Sequence, residues 1–283
     1  NGTARREVWL RLMVSPALLA AALGLLWWHH RLGSSVPTDL ALALLAGAAA
    51  CEVAAMLGRA GCSIPPALPV LTSAALGGLG LAFPADPDMR NAARLALLVF
   101  AVALAFVPHL RAPRHGDLER LVGTLFPIAY VGLLLGILRE LGDGSGGARR
   151  LALVVIAAKA SDIGGWLVGK TAGRHRMIPS VSPGKTWEGT VGGLAFSAAA
   201  AVGLEAALGP LPELATGPAQ AAILGILLGA ASIAAGLTNS VLKRRCGVKD
   251  SSSLVPGVGG VLDVVDSLLL AAPAAWLWML FRG

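Results

Sequence analysis

Two aspartates three residues apart, Asp263 and Asp266, open the last apolar stretch of the chain, preceded by Lys243, Arg244, Arg245, Lys249 and a third aspartate, Asp250. At i, i+3 in a helix both carboxylates leave from nearly the same place. Like charges that close repel, and each raises the other's pKa unless a cation lies between them. Oxygen ligands without His or Cys suit Mg²⁺, which takes one or two carboxylates together with substrate phosphates. The lysines and arginines complement a polyphosphate, and the glycines of "PGVGG" at 256–260 would let backbone N–H groups approach one. Carboxylates for a metal beside cations for phosphates describe phosphoryl or nucleotidyl transfer. Taken singly, the same features are helix-start aspartates favouring the dipole and a positive-inside cluster.

A second polar segment strengthens the first reading. "SPGKTWEG" at 182–189 offers Ser182, Lys185 and Thr186 as donors to phosphate oxygens, with Glu188 in the first turn of the helix that follows. Its "GKT" is not a phosphate-binding P-loop, because the glycine needed five positions before Gly184 is Pro179. Upstream, Lys159 and Asp162 lie three apart within an apolar stretch, where a charge is costly unless paired or hydrated. That placement favours a site over a structural ion pair, and Asp162 joins the candidate metal ligands.

The elements that must carry these residues are membrane helices. The 283 residues are 55% hydrophobic and only 14% charged, with a mean hydropathy of +0.72, far from a soluble chain. Apolar runs long enough to cross the bilayer fall near 12–28, 38–58, 65–83, 93–110, 119–138, 150–169, 188–208, 219–238 and 260–281, predicting a polytopic all-α bundle of about nine spans and excluding a β-barrel. Gly164, Gly165 and Gly169, and the pair Gly225 and Gly229, are positioned to let neighbouring helices approach. Three regions follow: N-terminal spans over 1–110, a middle helix with its loops over 111–149, and a catalytic region with two polar loops over 150–283.

Alternating through nine spans puts Arg5, Arg6, Arg11, Arg59, Arg111, Arg114, Arg120 and the cations of both polar loops on the N-terminal side, in clear excess over the opposite side. The positive-inside rule then places the N-terminus and both loops in the cytoplasm, where nucleoside triphosphates are. The net charge of +7 reflects anionic headgroups rather than nucleic acid. Cys51, Cys62 and Cys246 have no paired spacing, so neither a disulfide framework nor a zinc site is indicated.

With these residues in view, the chain resembles the phosphatidate cytidylyltransferase (CDP-diacylglycerol synthase) family. Ser240, Lys243, Arg244, Lys249, Asp250, Pro256, Gly257, Gly259, Gly260, Leu262, Asp263 and Asp266 stand at the spacings of the family's C-terminal signature, and "SPGKTWEG" is similar to an earlier family segment. The resemblance covers roughly 150–283. Four positions depart from it: Val258 where the family has His, Val264 where it has Arg, Gly236 in place of Asp and Asn239 in place of Glu.

The resemblance implies transfer of CMP from CTP to phosphatidic acid with Mg²⁺ as cofactor, in a bacterial inner membrane, by a chain that could pair as a homodimer. It implies metal ligation by Asp263, Asp266, Asp250 and Asp162, catalytic roles for Asp263, Asp266, Lys243 and Asp250, and substrate binding by Ser182, Lys185, Thr186, Glu188, Arg244 and Lys249. Two further readings accompany it: CTP-dependent transfer to another lipid phosphate, and a catalytically impaired paralogue acting as a scaffold, motivated by the four departures. A transporter, suggested by Lys159 and Asp162 at membrane depth, fits less well, since the charges gather in two loops and residues 1–110 show no matching polar breaks.

Overall fold

The computed structural model describes residues 2–62, 64–110, 116–144, 146–210, 213–214 and 216–282, with side chains from residue 14 onward, Ser15 excepted. The expected positions of Arg111 and Arg114, and of the Arg5, Arg6 and Arg11 side chains, lie outside the described residues. The chain forms two compact units, one comprising 1–139 with 245–265 and the other 140–244 with 266–283. The polar segment that precedes the last helix thus belongs with the N-terminal helices.

The first unit contains α1 (Gly2–Leu32), α2 (Val36–Arg59), α3 (Ala67–Gly77), α4 (Leu79–Ala82), α5 (Pro87–Phe106), α6 (Asp117–Pro127), a π-helical segment Ile128–Leu133 and α7 (Leu134–Gly136); α8 (Leu138–Leu141) crosses its boundary. Helix starts follow local chemistry. Asp86 caps α5 by accepting the Met89 N–H at 2.8 Å, and Pro87, lacking an N–H, takes the first position. In α2 the side chains of Ala46, Ala49, Ala50 and Val53 are fully buried, so this helix is the packed centre of the unit. Leu95, Val99 and Phe100 of α5 are more than half exposed, as lipid-facing residues are.

Seven helices of the described residues are long and apolar enough to span a membrane: Val36–Arg59, Pro87–His109, Asp117–Leu141, Gly147–Thr171, Trp187–Leu208, Pro218–Arg245 and Val261–Leu280. Seven of the nine expected spans therefore stand, and the nine-span count is not reached. The expected span 65–83 divides into α3 and α4 at Gly78, and the 11 residues of α3 are too few to cross alone. Its end is fixed by close packing, since a Cβ on Gly77 would stand 2.6 Å from the Leu42 carbonyl oxygen. The expected span 12–28 falls within α1, which is not among the seven, counted over described residues only.

The second unit contains α9 (Gly147–Thr171), a hairpin of β1 (Arg176–Ile178) and β2 (Ser182–Thr186), α10 (Trp187–Leu208), α11 (Pro218–Arg245) and, from Asp266 onward, α12 (Val261–Leu280). The strands are antiparallel, with Arg176 opposite Thr186 and Ile178 opposite Ser182. The segment expected as an irregular polar loop is therefore an ordered hairpin in an otherwise helical fold. Small residues join its helices as the glycine spacing predicts: a Cβ on Gly164 of α9 would lie 2.5 Å from Phe196 of α10, and one on Gly225 of α11 would lie 2.7 Å from the Ser197 carbonyl oxygen. Ser197 donates to the Gly225 carbonyl at 2.6 Å and Ser161 to that of Gly229 at 3.3 Å, so hydroxyls bridge the same contacts. Gly164→Val should lower stability by about 1–3 kcal/mol through overpacking, read as a lower unfolding midpoint in detergent; an unchanged midpoint would show that α9 and α10 do not need this close approach.

Candidate active site

In the second unit, α9, α11, α12 and the hairpin bring a polar cluster together. Lys159 donates to Ser267 Oγ at 2.7 Å and lies 3.5 Å from Asp162 Oδ2. Ser232 of α11 reaches Asp162 Oδ1 at 3.4 Å, and the fully buried Asn239 donates its amide to Asp266 Oδ2 at 3.1 Å. Asp266 Oδ1 accepts the Ser267 N–H at 2.6 Å. Asp266 is within electrostatic reach of both Lys159 and Asp162. The i, i+3 pair on α9 is thus a real contact, and it reaches α12 through Ser267, next to the second aspartate of the α12 pair.

Lys185 completes the group from β2. Its ammonium donates to the Ile233 carbonyl at 3.3 Å and passes over Gly236, where a Cβ would stand 2.9 Å from Nζ. Burial pushes its pKa below the ordinary lysine range; Asp162 and Asp266 pull it back up, while Lys243 adds to the lowering. A half-buried ammonium near two carboxylates and another cation is placed to receive an anion, which would favour its protonated form. Arg244 Nε donates to the Val181 carbonyl at 3.4 Å, tying the end of α11 to the hairpin turn.

The other residues of the earlier motif make local bonds of their own. The buried Thr186 caps α10, its hydroxyl oxygen accepting the Gly189 N–H at 3.1 Å. Glu188 accepts the Arg174 and His175 N–H groups at 3.1 and 3.2 Å and contacts His175 Nδ1 at 2.6 Å. It shapes the segment between α9 and β1, well beyond what a dipole-complementing carboxylate needs. Ser182 is half-buried at the start of β2.

In the first unit, Asp263 Oδ2 accepts the Ser251 N–H at 2.9 Å, the Ser251 hydroxyl at 3.0 Å and the Gly260 N–H at 3.1 Å. Lys249 and Asp250 are exposed. Three of the "PGVGG" amides, expected to approach a phosphate, are instead satisfied within the protein. Val258 and Gly259 donate to the Val255 carbonyl, Gly260 to Asp263, and Val261 and Leu262 to Glu52 of α2 at 2.9 Å each. The sequence reading missed Glu52 altogether, although a lone carboxylate inside an apolar span is the signal that drew attention to Asp162.

Among the described residues no three of His, Cys, Asp and Glu gather into a group that could hold a metal. The donor set of Asp162 and Asp266 still fits Mg²⁺. It offers oxygen ligands from two carboxylates, the number that suffices when substrate phosphates supply the rest.

Comparison with known proteins decides the relationship. The sequence profile of the cytidylyltransferase family matches residues 9–281. The chain belongs to that family. It is 32% identical over 241 residues to the phosphatidate cytidylyltransferase of Mycobacterium leprae (strain TN), covering 80% of this chain and 74% of that one. It is 46% identical over 132 residues to the phosphatidate cytidylyltransferase of Pseudomonas aeruginosa PAO1, covering 44% of this chain and 46% of the relative. It is also 37% identical over 150 residues to the uncharacterized protein YnbB of Escherichia coli K12, covering 53% of this chain and 48% of that one. The chain thus spans about half the length of the last two relatives.

Family membership extends the relationship beyond 150–283 to the N-terminal helices that hold Glu52. In this cytidylyltransferase-family chain the Thr186 cap gives a simple test: Thr186→Ala should cost about 1 kcal/mol of stability while leaving substrate affinity unchanged. A large rise in KM for a nucleotide in that variant would return Thr186 to the binding residues.

Proposed function

We propose that this chain transfers CMP from CTP to phosphatidic acid, forming CDP-diacylglycerol and pyrophosphate at the cluster of the second unit. One observation carries this reading: Asp162 and Asp266, two membrane-span carboxylates, share their surroundings with Lys159 and with Lys185 of the "SPGKT" strand. The names of the M. leprae and P. aeruginosa relatives support the same reaction. A phosphate oxygen of the acceptor attacks the α-phosphorus of CTP; the new P–O bond forms as the bond to the β-phosphate bridging oxygen breaks, and pyrophosphate leaves with that electron pair. The acceptor phosphate is already a nucleophile, so the protein's work is alignment and charge compensation.

Lys185, Lys243 and Arg244 take the charge of the triphosphate, and filling the site with phosphate oxygens stabilises the protonated form of Lys185. Lys159, tethered to Ser267, keeps Asp162 oriented, and Asn239 does the same for Asp266. Asp162 and Asp266 would hold Mg²⁺, which when bound neutralises the charge that builds on the leaving pyrophosphate. Half-buried Ser182 we assign to the same phosphates, and Asp263 to organising the segment that leads into α12.

The Lys and Arg asymmetry and the need for CTP support a cytoplasmic N-terminus in an inner membrane. Assay of the detergent-purified chain with CTP against a panel of lipid phosphates tests the acceptor: phosphatidic acid should give the highest kcat/KM. Exclusive use of a polyprenyl or ether-lipid phosphate would overturn that assignment.

A further inference from the structure

We propose that Glu52 is a positioning residue for this reaction, a buried carboxylate on α2 that seats the motif segment and the first turn of α12. This inference rests on the transfer reading above for its kinetic consequence and on geometry alone for the clamp. Glu52 is 5% exposed, yet it accepts four hydrogen bonds from residues about two hundred positions away: Ser252 Oγ at 2.7 Å and the Val261 N–H at 2.9 Å on Oε1, Ser251 Oγ at 2.8 Å and the Leu262 N–H at 2.9 Å on Oε2. Each carboxylate oxygen thus takes one hydroxyl and one helix-start amide.

The partners are specific to a carboxylate. The first amides of a helix have no partner within it, and a negative group at that end answers both their hydrogen-bonding need and the positive end of the dipole. Gly260 lets this happen, because a Cβ there would overlap both Ser251 Oγ and Glu52 Oε2. Ser251 also donates to Asp263, so one hydroxyl joins the Glu52 carboxylate to the first aspartate of the α12 pair. Glu52 thus grips the first turn of the helix on which Asp263 and, one turn on, Asp266 stand.

Glu52→Gln keeps size and shape but replaces one acceptor oxygen by an NH₂ that faces two donors, one of them a backbone amide. Ser252→Ala is the milder partner, removing one hydroxyl while leaving both helix-start amides their acceptors. In the purified full chain, hydrogen exchange at Val261 and Leu262 should accelerate by about tenfold or more in Glu52→Gln. With CTP and phosphatidic acid, kcat per folded molecule should fall by about 10²-fold with KM for CTP within about threefold, as expected for misplacement of a reacting group. Ser252→Ala should move kcat the same way by a smaller factor, and it carries the kinetic test if Glu52→Gln does not fold.

Wild-type exchange at Val261 and Leu262 in Glu52→Gln would overturn the clamp. Accelerated exchange with kcat per folded molecule within about twofold of wild type would make Glu52 structural only and overturn the positioning role. Absence of any CDP-lipid product from the wild-type chain would instead fail the transfer reading, leaving the exchange result to decide the clamp by itself.

Discussion

Exchanging Asp266 for Asn reduces CDP-lipid formation by about 10²–10³-fold or more while the protein still folds and inserts. The Asn side chain keeps the volume of Asp266 and an oxygen for the Ser267 N–H, which Asp266 Oδ1 accepts at 2.6 Å, and the bond to Asn239 is kept by turning the Asn239 amide over so that its oxygen faces the new NH₂. What disappears is one of the two carboxylates facing Lys159 and Lys185, and with it half of the proposed Mg²⁺ ligand set. The variant's rate should respond only weakly to Mg²⁺ concentrations that saturate the wild type, and its unfolding midpoint in detergent should stay close to wild type. Turnover at the wild-type rate in this variant would remove Asp266 from the reaction.

The second large effect belongs to Lys185. Lys185→Met removes the ammonium while keeping the length of the apolar stem, and kcat/KM for CTP should fall by about 10²-fold, mostly through KM, as the triphosphate loses a charge-assisted contact. The pH dependence carries a separate signature. Burial lowers the Lys185 pKa, and the protonated form is the one that binds phosphate, so activity is present below that pKa and lost as pH rises through it. The loss should begin at a lower pH than an ordinary lysine would give. Saturating CTP should shift it upward, because added phosphate charge favours the ammonium. The alkaline limb should be absent from the residual activity of Lys185→Met; an unchanged limb would assign it to another group.

Much of this arrangement was legible in the sequence because charges inside apolar runs are expensive. Lys159 and Asp162 stood out for that reason, and they do meet. The glycines of α9 and α11 marked close helix contacts by the absence of a side chain where one would collide. The aspartate pair of α12 was visible from its spacing, but its partners were not. Spacing along a helix says which side a carboxylate leaves from and nothing about who donates to it, and Asp263 proves to be held by Ser251 and Gly260.

The "PGVGG" amides were misread for the same reason: a glycine-rich segment shows that donors are available and not where their acceptors are, which prove to be the Val255 carbonyl and Asp263, while the next two amides, of Val261 and Leu262, go to Glu52 about two hundred residues upstream. The hairpin escaped because "SPGKT" lacks the alternation of a strand and has a single β-branched residue, Thr186; its shape comes from pairing with Arg176–Ile178 and from the cap at Thr186. The span count fell short where an apolar run was long enough but broken at Gly78, which hydropathy alone does not register.

The most direct test of nucleotidyl transfer is positional labelling. The purified chain, in mixed micelles of detergent and phosphatidic acid with Mg²⁺, is given CTP labelled either at the α- or at the γ-phosphate. Cytidylyl transfer predicts α-label in the lipid and γ-label in pyrophosphate, both dependent on Mg²⁺. Label reaching the lipid from the γ-position would make the protein a lipid kinase, and label entering the lipid from neither position would contradict the account.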